Sequence, residues 1–132
     1  VTDICSNVDF DTMASPGSWV VNPDWAAKNA DVLVRFNRAM FKAMDFAAAA
    51  TTDDAVAEEV AGYVSAITGL DVESTIAQRY DGSWLTSAQV LEMIDSGKLV
   101  DYYNAQQTNF GDAAGPLKAD EFVLVDLMVS AK

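Results

Sequence analysis

Histidine is absent from the 132 residues of this chain, and cysteine occurs once, at Cys5. A single cysteine cannot close an internal disulfide, and without histidine there is no Cys/His cluster to hold zinc. Cys5 also has no histidine to activate it as a nucleophile. We therefore expect no metal, no cofactor and no catalytic residue.

Basic residues are scarce: eight Lys and Arg stand against twenty Asp and Glu, so the net charge is 8 − 20 = −12. Such a surface repels nucleic-acid phosphates and anionic lipid headgroups. No run approaches the roughly 18 uninterrupted apolar residues of a membrane span, and no basic-plus-apolar leader opens the chain. These features predict no nucleic-acid partner and no membrane insertion.

Ligand-binding motifs are also missing. Asp9-Phe10-Asp11 lacks the glycine and the terminal glutamate of a calcium loop, and no glycine pattern would cradle a phosphate. The length suits one domain, and 51% hydrophobic residues suffice for a core. Because the chain starts at Val1 and not at Met, we expect a processed product or a piece of a longer protein.

A short β-type run, Trp19-Val20-Val21, lies between Pro16-Gly17 and Asn22-Pro23. Aromatic and β-branched residues favour a pleated surface, which predicts a strand over 17–22. Asn22 is a good N-cap and proline suits the first helical position, so a helix should follow at once and end near Ala50, with a pause at Asn29 left open. Its apolar positions recur at helical spacing: Trp25, Val32, Leu33, Phe36, Met40, Ala43, Met44 and Ala47.

Capping residues predict three more helices. One follows Thr51-Thr52-Asp53-Asp54 and ends at Gly69, one follows Asp71, and one starts at Thr86 or Ser87 and stops at Ser96-Gly97. Residues 104–116 have no period and predict a loop. Phe122–Val125 fits a strand or a terminal anchoring helix. The resulting layout is a single domain over 1–132, with a lead-in over 1–16, the strand, helices over 23–103, and a loop with a terminal anchor over 104–132.

In order and spacing, these segments resemble the C-terminal part of periplasmic solute-binding proteins of ABC importers, of the nitrate/sulfonate/taurine type. The stretches that carry the resemblance are SWVVN (18–22), PDWAAKNADVLVRFNRAMFKAMDFA (23–47), ITGLDVES (67–74) and SAQVLEMIDSGKLVD (87–101). One departure is Ala30, where the family often has proline. The resemblance implies an α-rich α/β fold, the C-terminal portion of a periplasmic-binding-protein-like lobe with about four helices and one or two short strands.

The resemblance also implies a function. The chain would be an extracytoplasmic solute-binding component, periplasmic or lipid-anchored at the surface of a Gram-positive cell, which captures a small anionic or sulfonate/nitrate-like ligand. Its partners would be the ABC transporter permease and a missing N-terminal lobe or a second copy. The ligand-binding residues would be Ser15, Gly17, Ser18 and Trp19, whose hydroxyls and amide can donate to an oxyanion while the indole covers the ligand.

Other interpretations stay open. Gly17 can simply permit a turn, and Trp19 can fill a gap between secondary-structure elements. The whole chain can be a helical protein–protein interaction module, which its short length and apolar helix faces favour. A thiamine-pyrimidine synthase-like enzyme fits less well, because those enzymes rely on a histidine and a cysteine-rich motif.

Overall fold

The computed structural model describes residues 17–82 and 84–132, and every regular element in these ranges is helical. Short 3-10 turns lie at Gln78–Tyr80 and Gly111–Ala114. The eight α-helices of these ranges are α1 Pro23–Lys28, α2 Ala30–Ala49, α3 Asp54–Thr68, α4 Val72–Ala77, α5 Ser87–Asp95, α6 Lys98–Phe110, α7 Ala119–Phe122 and α8 Val125–Val129.

The predicted α/β fold with one or two short strands is wrong, because no strand occurs in the described ranges. A strand needs a neighbouring strand that accepts and donates ladder hydrogen bonds, and the described part contains no other strand to supply them. Val20 is 94% exposed there. The alternative strand near the C-terminus is also wrong: Phe122 ends α7 and Val125 begins α8.

The start of the first helix is confirmed, and the open question of the pause is settled. The backbone amide of Trp25 donates to Asn22 Oδ1 at 3.1 Å, and Pro23 takes the first helical position. The Asn29 side-chain amide donates to the Trp25 carbonyl at 2.8 Å, which satisfies an orphan acceptor at the end of α1. The long predicted helix is therefore two helices, with α2 starting at Ala30.

Local capping explains the bounds of α3 and α4, which pack against each other. The Asp53 carboxylate accepts from the amides of Ala55 and Val56 at 2.9 and 3.2 Å. At the other end of α3, Gly69 has φ +76°, where a side chain would be strained. Asp71 then caps α4 through the Ser74 amide at 2.9 Å. The predicted capping residues are confirmed here.

The loop predicted over 104–116 is wrong in its first half, because α6 continues to Phe110. The residues at the start of this stretch, Ala105, Gln106 and Gln107, are adequate helix formers. A contact between residues distant in sequence then favours the continuation of the helix. Asn104 Oδ1 accepts from the Ala119 amide at 3.1 Å, and Ala119 is fully buried. This link joins α6 to α7.

Two compact units divide the described residues: one comprises residues 17–34 and 91–132, and the other comprises the described residues of 35–90. Alanines make up six of the eight buried apolar residues found in the described ranges. In the first unit they are Ala26, Ala119 and Ala131; in the second, Ala50, Ala57 and Ala61, which join Phe41 and Val90. Large side chains of the predicted stripe stay partly outside, since Trp25 is 45% and Phe36 38% exposed. No helix of the described part is long and apolar enough to cross a bilayer.

Candidate functional site

Three of the four predicted ligand-binding residues lie on the exposed segment before α1. Ser15 falls outside the described residues, whereas Gly17, Ser18 and Trp19 are described and exposed, with the indole 76% accessible. Ser18 Oγ lies 2.7 Å from the Tyr103 hydroxyl, and either oxygen can be the donor. This hydrogen bond ties the segment to α6, and the exposed Trp19 follows Ser18 in the sequence.

Tyr103 also belongs to an aromatic cluster that the sequence did not predict. Its ring meets Phe122 edge-on at a centroid distance of 6.1 Å and Tyr102 at 6.5 Å. Burial raises the pKa of Tyr102, and the neighbouring Tyr103 adds to the rise, so the Tyr102 hydroxyl stays protonated. The adjacent tyrosines were the available signal, but only the fold brings Phe122 beside them.

A second exposed surface lies where α3 turns into α4. We call it the α3–α4 corner and define it by Tyr63, Ile67, Leu70 and Val72, which are 60%, 86%, 46% and 41% exposed. Tyr63 and Ile67 are one helical turn apart and share a face of α3. Leu70 and Val72 follow the glycine that ends this helix, and the Ser65 hydroxyl donates to the Leu70 carbonyl at 2.5 Å.

Carboxylates surround the apolar side chains of the α3–α4 corner. The Tyr63 hydroxyl donates to Glu59 Oε1 at 2.8 Å, and this bond, with the negative charge of Glu59, raises the pKa of Tyr63. Asp71 stands between Leu70 and Val72, and hydrogen bonds from Ser74 lower the pKa of Asp71. Two acidic groups are therefore held at fixed places beside exposed apolar residues.

Arg79 serves the internal structure of the same unit. Its Nη1 lies 2.8 Å from Asp54 Oδ1, and this bond raises the Arg79 pKa above its already high ordinary value. The guanidinium lies 4.8 Å from the ring centroid of Tyr80, and Trp84 Nε1 donates to the Arg79 carbonyl at 2.8 Å. These contacts hold the chain in place after α4. They also pair the guanidinium of Arg79, the basic residue nearest in sequence to the α3–α4 corner, with a carboxylate and a tyrosine ring.

A cleft of about 640 Å³ lies beside the C-terminal end of α6 and is lined by Asn104, Gln107, Thr108, Gly111, Gly115 and Lys118. Several of these residues already serve the internal structure. The Gln107 side-chain amide donates to the Leu117 carbonyl, and the Thr108 hydroxyl donates to the Asn104 carbonyl at 3.1 Å. The polar lining therefore acts first to hold α6 to the segment before α7.

Within residues 17–82 and 84–132, no group of three or more Asp, Glu, Cys or His side chains could hold a metal ion. No protein family, curated protein or solved structure matches this sequence.

Proposed function

We propose that this chain is a helical binding module that docks its exposed apolar side chains onto another protein surface and acts by binding, not by catalysis. The observation that supports this most directly is that the buried apolar side chains are mostly small, whereas several large apolar side chains are exposed. Alanine dominates the buried positions of the described ranges, whereas Ile67, Trp19 and Tyr63 are 86%, 76% and 60% exposed.

Exposed apolar area supplies the free energy for docking. Full burial of a side chain such as Ile67 contributes about 1.5–3 kcal/mol, and that contribution is unused while the residue stays in water. Clustered exposed apolar residues with a polar rim mark interaction sites more often than isolated ones do. The α3–α4 corner has this composition, since its four apolar residues lie among carboxylates.

A neutral apolar dye tests the proposal, because a negatively charged dye would be repelled by the acidic chain. We expect Nile red to bind the folded protein with a blue-shifted emission at micromolar protein. Ile67→Gln should reduce the signal while the circular dichroism stays unchanged. The proposal would be contradicted if the dye signal were no larger than that of a globular protein without exposed apolar clusters.

The second candidate function is solute capture for an ABC-type importer, in an extracytoplasmic location and with the transporter permease as partner. One observation favours it: Ser18, whose hydroxyl pairs with that of Tyr103, immediately precedes the exposed Trp19, so one segment carries both a hydroxyl group and an aromatic side chain. Hydroxyls can donate to a sulfonate or nitrate oxygen, and an indole can cover a small planar or apolar group.

Calorimetry with nitrate, taurine and a short alkylsulfonate tests this second function. We expect weak binding by this chain, with a heat that disappears in Trp19→Ala and persists in Trp84→Ala. The matched control removes an indole from the other unit. Equal heats for the two variants, or no heat with any of these anions, would contradict a ligand site at Gly17, Ser18 and Trp19.

A further inference from the structure

The α3–α4 corner carries a one-sided charge distribution. The sequence from Asp54 to Ala77, which spans both helices, has no Lys or Arg and five acidic residues: Asp54, Glu58, Glu59, Asp71 and Glu73. Arg79 lies two residues after Ala77, but its guanidinium is paired with Asp54 at 2.8 Å. The apolar side chains of this corner are therefore exposed in a negative electrostatic field.

Two of the acidic groups are held in position by contacts of their own. Glu59 accepts the Tyr63 hydroxyl hydrogen bond at 2.8 Å, and Asp71 accepts from the Ser74 amide at 2.9 Å. Tyr63 belongs to the apolar set, and Asp71 lies between two of its members. A partner that covers Ile67 and Leu70 must therefore bring the residues at the edge of its contact surface close to the carboxylates of Glu59 and Asp71.

We propose that the α3–α4 corner binds a protein surface whose apolar side chains are flanked by Lys or Arg. This inference rests on the proposed docking function and adds the chemistry of the partner. Opposite charges at the rim of an apolar contact attract the right partner and penalise like-charged ones.

Charge also argues against the other occupants. A second copy of this chain would bring another −12 charge to the same place, and an anionic lipid surface would be repelled for the same reason. A neutral apolar partner would gain binding free energy only from buried apolar area, because the carboxylates would have no opposite charge to attract. A basic-flanked protein surface uses both the apolar residues and the acidic rim.

The test uses two synthetic helical peptides of equal length with the same leucine face, one flanked by lysines and the other by glutamates. Binding is followed by fluorescence anisotropy of the labelled peptide at 50 and 300 mM NaCl. We expect the lysine peptide to bind, with affinity falling severalfold at the higher salt, because the Debye length shortens. The glutamate peptide should bind at least about tenfold more weakly, which corresponds to about 1.4 kcal/mol.

Matched variants locate the contact. Ile67→Gln should weaken lysine-peptide binding about tenfold or more, whereas Phe110→Gln, at a residue 67% exposed on α6, should leave it unchanged. Glu73→Gln should weaken binding and its salt dependence, whereas Asp126→Asn, with the same loss of charge on α8, should not. Because Ile67 is 86% exposed, its replacement should leave folding intact, which circular dichroism checks.

The possible outcomes distinguish a failure of the docking function from a failure of the proposed basic partner. If both peptides bind equally and Ile67→Gln weakens both, docking stands and the basic partner is wrong. If neither peptide binds, or Ile67→Gln has no effect, docking at this corner is itself wrong. Association of the chain with itself by sedimentation, or binding to vesicles of anionic lipid, through Ile67 would also overturn the proposed partner.

Discussion

A hydrogen-bonded pair, Asp45 and Ser87, joins helices α2 and α5, and both residues belong to the unit of residues 35–90. Removal of this link gives the sharpest stability prediction. Asp45 Oδ1 accepts from the Ser87 backbone amide at 2.7 Å, and its Oδ2 accepts from the Ser87 hydroxyl at 2.7 Å. The two residues are 42 positions apart in sequence. The carboxylate therefore caps the first turn of α5 from another helix, in addition to the local cap in which the Gln89 amide donates to Thr86 Oγ1 at 3.3 Å.

The magnitude follows from the two hydrogen bonds and the helix dipole. Loss of a capping side chain costs about 0.5–2 kcal/mol, and a carboxylate at a helix N-terminus adds about 0.3–1 kcal/mol when exposed. Both bonds are exposed to solvent, so the lower half of the summed range applies. We expect Asp45→Ala to lower the free energy of unfolding by about 1–2 kcal/mol. Asp45→Asn should cost roughly half, because its amide oxygen can still accept one bond.

Urea unfolding followed by circular dichroism at 222 nm measures these changes. The control is Asp81→Ala, which removes the same charge from the turn after α4 in the same unit. Equal midpoints for Asp45→Ala and Asp81→Ala would refute the reasoning. An Asp45→Asn variant as unstable as Asp45→Ala would show that the charge, and not the pair of acceptors, stabilises the α5 terminus.

Three other variants probe the ends and contacts of the helices. Gly69→Ala should cost about 1–2 kcal/mol because φ is +76° there, whereas Gly62→Ala in the interior of α3 should stabilise by about 0.5–1 kcal/mol, as urea unfolding would measure. Asp71 has a lowered pKa in the folded state, so its stabilisation is present above about pH 4 and is lost as the pH falls through the folded-state value. The stability difference between the wild type and Asp71→Asn should therefore shrink from pH 6 to pH 3. Tyr103→Phe should cost about 0.5–1.5 kcal/mol, since it removes the bond to Ser18 but keeps the ring contacts.

Each of these expectations has a contradicting result. Equal effects of the two glycine replacements would exclude backbone strain as the cause. A pH-independent difference at residue 71 would show that the charge of its carboxylate contributes nothing to the α4 cap. A Tyr103→Phe variant as stable as the wild type would mean that the hydroxyl bond contributes nothing, and Ser18→Ala should then be neutral as well.

Local chemistry predicted much of the helical layout. Asn22, Asp53 and Asp71 cap helices through their own side chains within three residues, and Gly69 ends α3 because glycine tolerates a positive φ. Such signals are short-range, so they are readable from the sequence alone.

The errors arose where a distant contact decides. Trp19-Val20-Val21 has strand propensity, but a strand depends on a neighbouring strand, and the described residues form none. Asn104 looked like the start of a loop, yet its side chain binds the Ala119 amide and α6 continues. The spacing in α2 indicated a helix correctly but did not single out Phe41, which the fold buries to 8% exposure.

The candidate site was predicted less well than the helices. Gly17, Ser18 and Trp19 were named from a resemblance, and the exposed Trp19 agrees with a surface role without identifying a ligand. Tyr63 and Ile67 lie four residues apart and so share a face of α3, but periodicity in a sequence cannot say whether such a face is covered. That information comes only from packing.

Amide chemical-shift mapping with the lysine-flanked peptide tests the central claim most directly. We expect the largest shifts within residues 59–73, which cover the second half of α3 and the start of α4. These shifts should disappear in Ile67→Gln. Shifts concentrated on α6 to α8, or spread evenly over the chain, would contradict the docking surface assigned to the α3–α4 corner.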